Sequence, residues 1–531
     1  MNLEVIKRHL RILVIGFFIF YFFLGVSVFH HYGISWDEST SRDNGIVAYQ
    51  YVTGQNDDLL TYSDRDYGTA FELPLFIIEK AVGVTSSQQT YFLRHFFTFL
   101  FFFVSVVFFY KIASSRFGSG IAFLGVIFLV LSPRIFADSF YNSKDIVLLS
   151  GMIIAVSTFL SFTKKPNLPH AMFHAMACAF VVDIRIPGLI ILPITFSFFI
   201  IDTFLLSKRR LWRTRLIMLF VFFLLFLGFV ILFWPYLWSD PIKNFMSAFS
   251  SFSHFTRLSD TVLYLGNYFP DKYVPWHYPI VWIGISTPLI YLFLFLLGVG
   301  YTTYRFFRNM STFYKNYRQD LLFLTWFFGP LLIVIGLNST LYDGWRQLYF
   351  IYPSLILIAL IGFEALLYFN KNRFHLMTIV FVLCSVNLIS VLCFMTFNHP
   401  HQHLYFNELV GGMENAKQYF ELDYWGLTFR EGLEYIAAHD SSSAIPVFFA
   451  HGHKKNSDIL DEENKKRFVV SDSPQSAKYI LSNYRWYKDR NNYRWDPYIY
   501  TSSHPKVFSV TIDGLEVMTV FRPIESTHRV Q

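Results

Sequence analysis

Gly33-Ile34-Ser35-Trp36-Asp37-Glu38-Ser39-Thr40 forms an acidic turn just past the first long apolar run of the chain. Ser35, followed three residues later by Glu38, has the spacing of a capping box, in which a hydroxyl and a carboxylate satisfy the free N–H groups of a starting helix. The pattern predicts a helix through Ile46 and Val52 that stops near Gly54. Asp37 then falls in the first turn, where the helix dipole favours its ionised form and no capping duty occupies its oxygens. Ordinary capping also puts carboxylates at helix starts, so the meaning of this turn depends on where it lies relative to a membrane.

The sequence has 531 residues, 54% hydrophobic and 20% aromatic with only 15% charged. That is the profile of an α-helical polytopic membrane protein. The net charge of +7 is spread over short loops, which argues against a nucleic-acid partner. Cys178, Cys384 and Cys393 all lie in apolar runs and supply neither a disulfide framework nor a thiolate zinc site. A membrane span needs roughly 20 apolar residues, and the runs at 10–30, 91–113, 119–136, 145–163, 169–183, 186–206, 214–238, 279–301, 320–337, 349–369 and 374–397 give about eleven. The first has basic residues before it and no small-residue cleavage site after it, and reads as a retained helix. Lys7, Arg8 and Arg11 put the N-terminus in the cytoplasm. Alternation then places every later basic cluster there too: Lys111 with Arg116, Lys164 with Lys165, Lys208 to Arg215, Arg305 to Arg318, and Lys371 with Arg373.

This topology gives a membrane domain over residues 1–397, with a first external loop at 31–90, and a small extracytoplasmic α/β domain over 398–531. In the loop, Leu73 to Val82 is too short to span and reads as an interfacial helix. In the tail, Thr428 to His439 reads as an amphipathic helix. Ile445 to Ala450, Phe468 to Val470 and Ala477 to Leu481 read as strands. Val507 to Ile512 and Leu515 to Phe521 read as a hairpin turned by Asp513-Gly514 in type I′ geometry. No Gly-rich phosphate loop joins a strand to a helix there, so a nucleotide site is not expected.

Polar residues at membrane-helix ends are expensive unless they serve a purpose. Five groups fall on the external side: Asp37 with Glu38; Arg134 with Ser143-Lys144-Asp145; Asp183 with Arg185; Asp343, Arg346 and Tyr349; and Trp276-His277-Tyr278. Each alone reads as an anchor or a helix-end salt bridge. Together they fit a sugar donor carried on a polyprenyl phosphate, whose tail stays in the bilayer while its head reaches the surface. Breaking the sugar–phosphate bond leaves charge on the phosphate, which Lys144, Arg134, Arg185 or Arg346 would stabilise. Asp37 is the carboxylate that would take the acceptor's proton. Trp276, His277, Tyr278, Asp343, Trp345 and Tyr349 are candidates for the sugar and acceptor pocket.

These residues also carry a resemblance. The Trp36-Asp37-Glu38 turn in a long first external loop resembles the acidic signature of the GT-C superfamily, in the protein O-mannosyltransferase and aminoarabinose-transferase branch. Similar to bacterial members are Pro133-Arg134-Ile135-Phe136 running into Ser139-Phe140-Tyr141-Asn142-Ser143-Lys144-Asp145, and Trp234-Pro235-Tyr236-Leu237-Trp238. So is Tyr342-Asp343-Gly344-Trp345-Arg346 with Leu348-Tyr349-Phe350-Ile351-Tyr352-Pro353, while the tail segments Tyr405-Phe406-Asn407, Gly411-Gly412 and Asp423-Tyr424-Trp425-Gly426 are similar to segments of uncharacterised relatives. The resemblance implies an inverting transfer from a polyprenyl-phosphate sugar at the external face of a bacterial inner membrane. It matches Asp37, with Glu38 beside it, to the catalytic turn, and Lys144-Asp145 to the second polar turn. It names no acceptor. No loop between spans is long enough for the inserted lumenal domain of eukaryotic protein mannosyltransferases, and a lipid, a glycan or a protein all stay open.

Metal is a separate matter. Asp37 with Glu38 or Asp145 offers carboxylates for a divalent ion against the donor phosphate. His399, His401 and His403, and again His451 and His453, alternate as zinc ligands in an extended segment would. No Cys or carboxylate nearby in sequence completes either set, and they read as exposed histidines. The competing class is a transporter or lipid flippase, which would show paired halves with matched breaks. Pro187, Pro193, Pro288, Pro330 and Pro353 do not fall into two matched sets.

Overall fold

A computed structural model describes residues 3–253, 261–369, 374–450, 454–485 and 504–523. The first half of the chain forms α1 (Leu3–Val28), α2 (Trp36–Val52), α3 (Glu72–Val82), α4 (Ser87–Phe117), α5 (Ser119–Val130), α6 (Pro133–Tyr141), α7 (Asp145–Lys164) and α8 (Leu168–Ile184). It continues through α9 (Ile191–Leu206), α10 (Trp212–Phe233), α11 (Pro241–Ser253), α12 (Tyr278–Ser286), α13 (Leu289–Arg308), α14 (Met310–Gly336), α15 (Tyr352–Phe369) and α16 (Phe374–Phe397). Among the described residues nine helices are long and apolar enough to cross a membrane, and α5 with α6 makes a tenth if that bent pair is one span. The expected run at 169–183 forms α8, an apolar helix shorter than the nine. The chain is an integral membrane protein.

Two spans read as continuous from the sequence are broken. The run at 119–136 bends by 67° between α5 and α6, because Pro133 cannot donate into the preceding turn and instead starts a helix of its own. The run at 279–301 breaks at Pro288, so the span is Leu289–Arg308 and α12 stands apart. Carbonyls left open by that break are taken by the Asn407 side chain, which donates to Gly284 O at 2.6 Å and Thr287 O at 2.7 Å. The run at 214–238 also stops short, at Phe233, before a 3₁₀ turn at Pro235–Trp238.

Burial sorts the spans. The most apolar stretches of α7 and α15 are 78% and 83% buried, against 17% for α1 and α16. The bundle is therefore built around α7 and α15, with α1 and α16 presenting Phe, Ile and Leu outward as lipid-facing helices do. α13 packs on α15 through facing glycines: a Cβ on Gly298 would come 2.0 Å from Ile358 O, and one on Gly362 2.0 Å from Leu294 O. At the far end from Asp37, Arg116 pairs with buried Asp320 and with Glu364, and Arg305 joins the same two carboxylates. This network ties α4, α13, α14 and α15 together.

Beyond a short hairpin, β1 (Thr261–Tyr264) with β2 (Asn267–Pro270), which the sequence reading missed, the remaining strands lie in the tail. There α17 (Met413–Tyr419), α18 (Phe429–His439) and α19 (Glu462–Arg467) accompany β3 (Ile445–Phe449), β4 (Phe468–Val470), β5 (Tyr479–Ser482), β6 (Lys506–Ile512) and β7 (Leu515–Phe521). The sheet order is β4-β3-β5-β7-β6, parallel across the first three and antiparallel across the rest. Asp513 and Gly514 both have positive φ, as a type I′ turn requires. Leu433 and Ile436 of α18 share one buried core with Val447, Leu481 and Val517.

Candidate active site

The acidic turn starts a helix as its pattern predicts. Ser35 N–H donates to Glu38 Oε2 at 2.8 Å, and α2 ends at Val52 ahead of Gly54, whose φ is positive. The Ser35 hydroxyl donates to Tyr141 O at 3.2 Å, tying the turn to the end of α6. Glu38 is 2% exposed, and its other oxygen lies 3.0 Å from His95 Nε2 on α4. Both its oxygens are held by structure. Asp37, next to it, keeps 36% of its side chain open.

Around Asp37 the N-terminal ends of α2, α7 and α15 converge. Arg346, in the 3₁₀ turn leading into α15, sends Nη1 to Asp37 Oδ2 at 3.2 Å and to Asp145 Oδ2 at 3.1 Å. Its Nη2 reaches Asp343 Oδ2 at 3.2 Å, and the guanidinium lies over the rings of Trp425 and Tyr342. Arg185 donates to Asp145 Oδ1 at 2.5 Å. Asp343 has a φ of 53°, and Gly344 after it 74°. This left-handed pair folds the turn back, and Gly344 N–H donates to the Tyr278 hydroxyl at 3.1 Å. Lys144 lies over Tyr67 at 4.5 Å, with no carboxylate of a described residue within ion-pair distance.

Two further cations come from the tail. Lys455 Nζ donates to Trp36 O at 3.0 Å. Arg485 donates to Asp343 Oδ1 at 2.9 Å and lies over the Trp36 ring. Among the described residues of this network five cations, Lys144, Arg185, Arg346, Lys455 and Arg485, stand against three carboxylates, Asp37, Asp145 and Asp343. Burial by itself would raise the Asp37 carboxyl, but the charges of Arg346, Lys144, Arg185 and Lys455 outweigh it and hold it below the ordinary carboxylate range. Among the described residues the site carries an ionised carboxylate on its open side and more cations than carboxylates around it.

The other sequence candidates are distributed as follows. Arg134 is buried, donates to Tyr405 O at 3.0 Å and stacks against Phe406 and Trp282. None of the three cluster carboxylates is among its partners in the described residues. Trp345 donates to Ser286 Oγ at 2.8 Å and Tyr349 packs against it, both inside the core. Trp276 is 63% exposed and touches His277, which bonds to the Tyr264 hydroxyl. Asp183 is buried and accepts from Ala70 N–H, pinning the loop before α3. Ser143 instead donates to Glu72 Oε1 at 2.8 Å, whose other oxygen pairs with Arg94. Sequence reasoning missed Lys455, Arg485 and Tyr67 and quoted Trp425 only within a tail motif, because nothing local to them signals which part of the membrane domain they meet.

Among the described residues no group of three or more His, Cys, Asp or Glu is placed to hold a metal. Asp37 and Asp145 are both engaged by the Arg346 guanidinium, and the two Glu38 oxygens by Ser35 N–H and His95. The three alternating histidines are not the exposed residues expected. His399 bonds to His31, His401 to Glu431 and His403 to Asp423, each diverging to its own partner. His451 and His453 lie outside the described residues.

Residues 80–234 match the family model described as dolichyl-phosphate-mannose-protein mannosyltransferase. The apo oligosaccharyltransferase of Archaeoglobus fulgidus superposes with a TM-score of 0.52 at 10% identity, over 88% of this chain and 69% of that one. The chain has the GT-C fold. ArnT from Cupriavidus metallidurans is also similar, at 13% identity and a TM-score of 0.48 over 96% and 98% of the two chains, and it has been solved bound to undecaprenyl phosphate as well. No curated protein matches by sequence. The resemblance carried by the sequence motifs is borne out as a GT-C fold, with a mannosyltransferase family model matching residues 80–234.

Proposed function

We propose that this GT-C protein transfers a sugar from a polyprenyl-phosphate carrier to an acceptor at the extracytoplasmic face, with inversion at the anomeric carbon. Asp37 takes the proton of an acceptor hydroxyl as that oxygen bonds to the anomeric carbon. The bond from that carbon to the phosphate oxygen breaks, and the polyprenyl phosphate leaves with the electron pair. Lys144, Arg185 and Arg346 receive the developing negative charge. The observation that carries the reading is the pairing of a half-open ionised carboxylate with a cation surplus that includes Lys144. The helix N-termini meeting there add positive dipole ends. A family model named for a dolichyl-phosphate sugar donor, matching the stretch that contains Lys144, Asp145 and Arg185, supports the donor class.

Mass spectrometry of surface glycans and glycolipids from cells with and without the protein is expected to reveal one missing sugar, identifying donor and acceptor together. Complementation with Asp37→Asn, which keeps size and hydrogen bonding but not basicity, should leave that sugar missing. Restoration of near wild-type levels by Asp37→Asn would remove Asp37 from the mechanism.

A further inference from the structure

The tail grips the acidic turn through two adjacent residues. Asn456 is 3% exposed; it accepts Ile34 N–H at 2.8 Å and donates to Ile34 O at 3.1 Å and to Gly426 O at 2.8 Å. One amide thus satisfies both backbone groups of the residue preceding the capping box, as a strand partner would. The fit is close, since a Cβ on Gly33 would come 2.6 Å from Asn456 Oδ1 and 2.6 Å from Leu427 O. This clasp fixes where Lys455 must be. Its ammonium bonds the carbonyl of Trp36, the peptide that leads directly into Asp37. Gly426 and Arg485 cover the Trp36 indole from the tail.

Resting on the transferase reading above, we propose that Lys455 is a positioning residue of the site. Its ammonium holds the Trp36–Asp37 peptide and supplies part of the positive field in which Asp37 works. A half-buried ammonium is costly unless an anion offsets it, yet no carboxylate of a described residue is within 4 Å of Lys455, whose direct partner is a neutral carbonyl. The charges it feels are those of Asp37, Asp43 and Asp458, with Lys144 opposing. Asp37 in turn faces Arg346, Lys144, Arg185 and Lys455, with the Tyr342 hydroxyl also near. Arg346 and Arg185 are already committed to Asp145. Of the carboxylates that act on Lys455, Asp37 acts most strongly, ahead of Asp43 and Asp458, so the field of its ammonium bears chiefly on Asp37. The tail domain therefore contributes to the chemistry of the site as well as covering it.

The test reads the Asp37 carboxyl directly and needs no knowledge of the sugar. Full-length protein in detergent is treated with a water-soluble carbodiimide and an amine across a pH series, and Asp37 labelling is quantified by peptide mass spectrometry. Protonated carboxyls react, so the midpoint reports the Asp37 pKa. Lys455→Gln, which can still donate to Trp36 O but carries no charge, should raise the midpoint by about half a unit to one unit. That is roughly three- to tenfold more labelling at a fixed pH above it. Lys455→Met should do the same, and Lys455→Arg should restore the wild-type curve. Exposed Glu434 should label identically in all four proteins, which controls for the reagent, and buried Asp423 should stay unlabelled in all four, which controls for unfolding. Superimposable Asp37 curves for wild type and Lys455→Gln would overturn the proposal. That outcome is independent of the complementation with Asp37→Asn, which tests the transferase reading alone.

Discussion

Replacing Arg346 by lysine separates the geometry of the site from its charge. One guanidinium reaches three carboxylates, at 3.2, 3.1 and 3.2 Å, through two nitrogens. An ammonium is a point charge without that planar fork and retains about one of the contacts. Losing two charge-assisted hydrogen bonds removes about 1.5–3 kcal/mol each if nothing replaces them. Asp145 keeps Arg185 at 2.5 Å and Asp343 keeps Arg485 at 2.9 Å, so the expected loss of stability falls to the lower end, about 2–3 kcal/mol in all. Transfer should suffer more. A pre-aimed donor to a developing anion is typically worth about 10²- to 10³-fold in turnover, and Arg346 is the cation closest to Asp37. The assay is restoration of the missing surface sugar by Arg346→Lys at matched protein level, alongside the thermal unfolding midpoint of the purified variant. Activity within about twofold of wild type would show that any positive charge suffices, and would refute the argument from the shared guanidinium.

Arg116→Ala acts at the opposite end of the bundle. Among the described residues it leaves buried Asp320 with only Arg305, at 3.5 Å, so thermal stability should fall by about 3–5 kcal/mol while transfer per folded molecule stays unchanged. Gly298→Ala should force α13 away from α15, losing at least about 1–3 kcal/mol. Because α15 follows the Arg346 turn, transfer should fall with it. Gly300→Ala, where a Cβ meets nothing within 4 Å, is the matched control, and equal melting points for the two variants would contradict the packing argument.

Much of this architecture was legible locally. Runs of apolar residues revealed the spans, the Ser35/Glu38 spacing revealed α2, and Asp513-Gly514 revealed the last hairpin, because each signal is complete within a few residues. Hydropathy did not reveal the breaks at Pro133 and Pro288, since both sides of each break stay apolar. Asp37, Asp145, Arg185, Asp343 and Arg346 were all named from sequence, and the structure brings them together. Trp345 and Tyr349, named for a sugar pocket, are instead packed in the core, since an aromatic residue at a helix start carries the same sequence signal in either place. Arg134 lies among aromatic rings for a similar reason: a cation beside apolar sequence does not declare whether its partner is an anion or a π-face. Lys455 and Arg485 were invisible because their partners in the site, Trp36 and Asp343, lie far away in sequence.

The Asn456 clasp on Ile34 joins positions 422 residues apart. A ribosome adding about 5–20 residues per second takes roughly 20–80 s to travel that far. Throughout that interval the nascent chain carries its acidic turn in place, yet lacks the amide that anchors it and two of the cations around it. The cluster around Asp37 is complete only once Lys455, Asn456 and Arg485 have been made and folded, after the helices that precede them have been laid into the membrane.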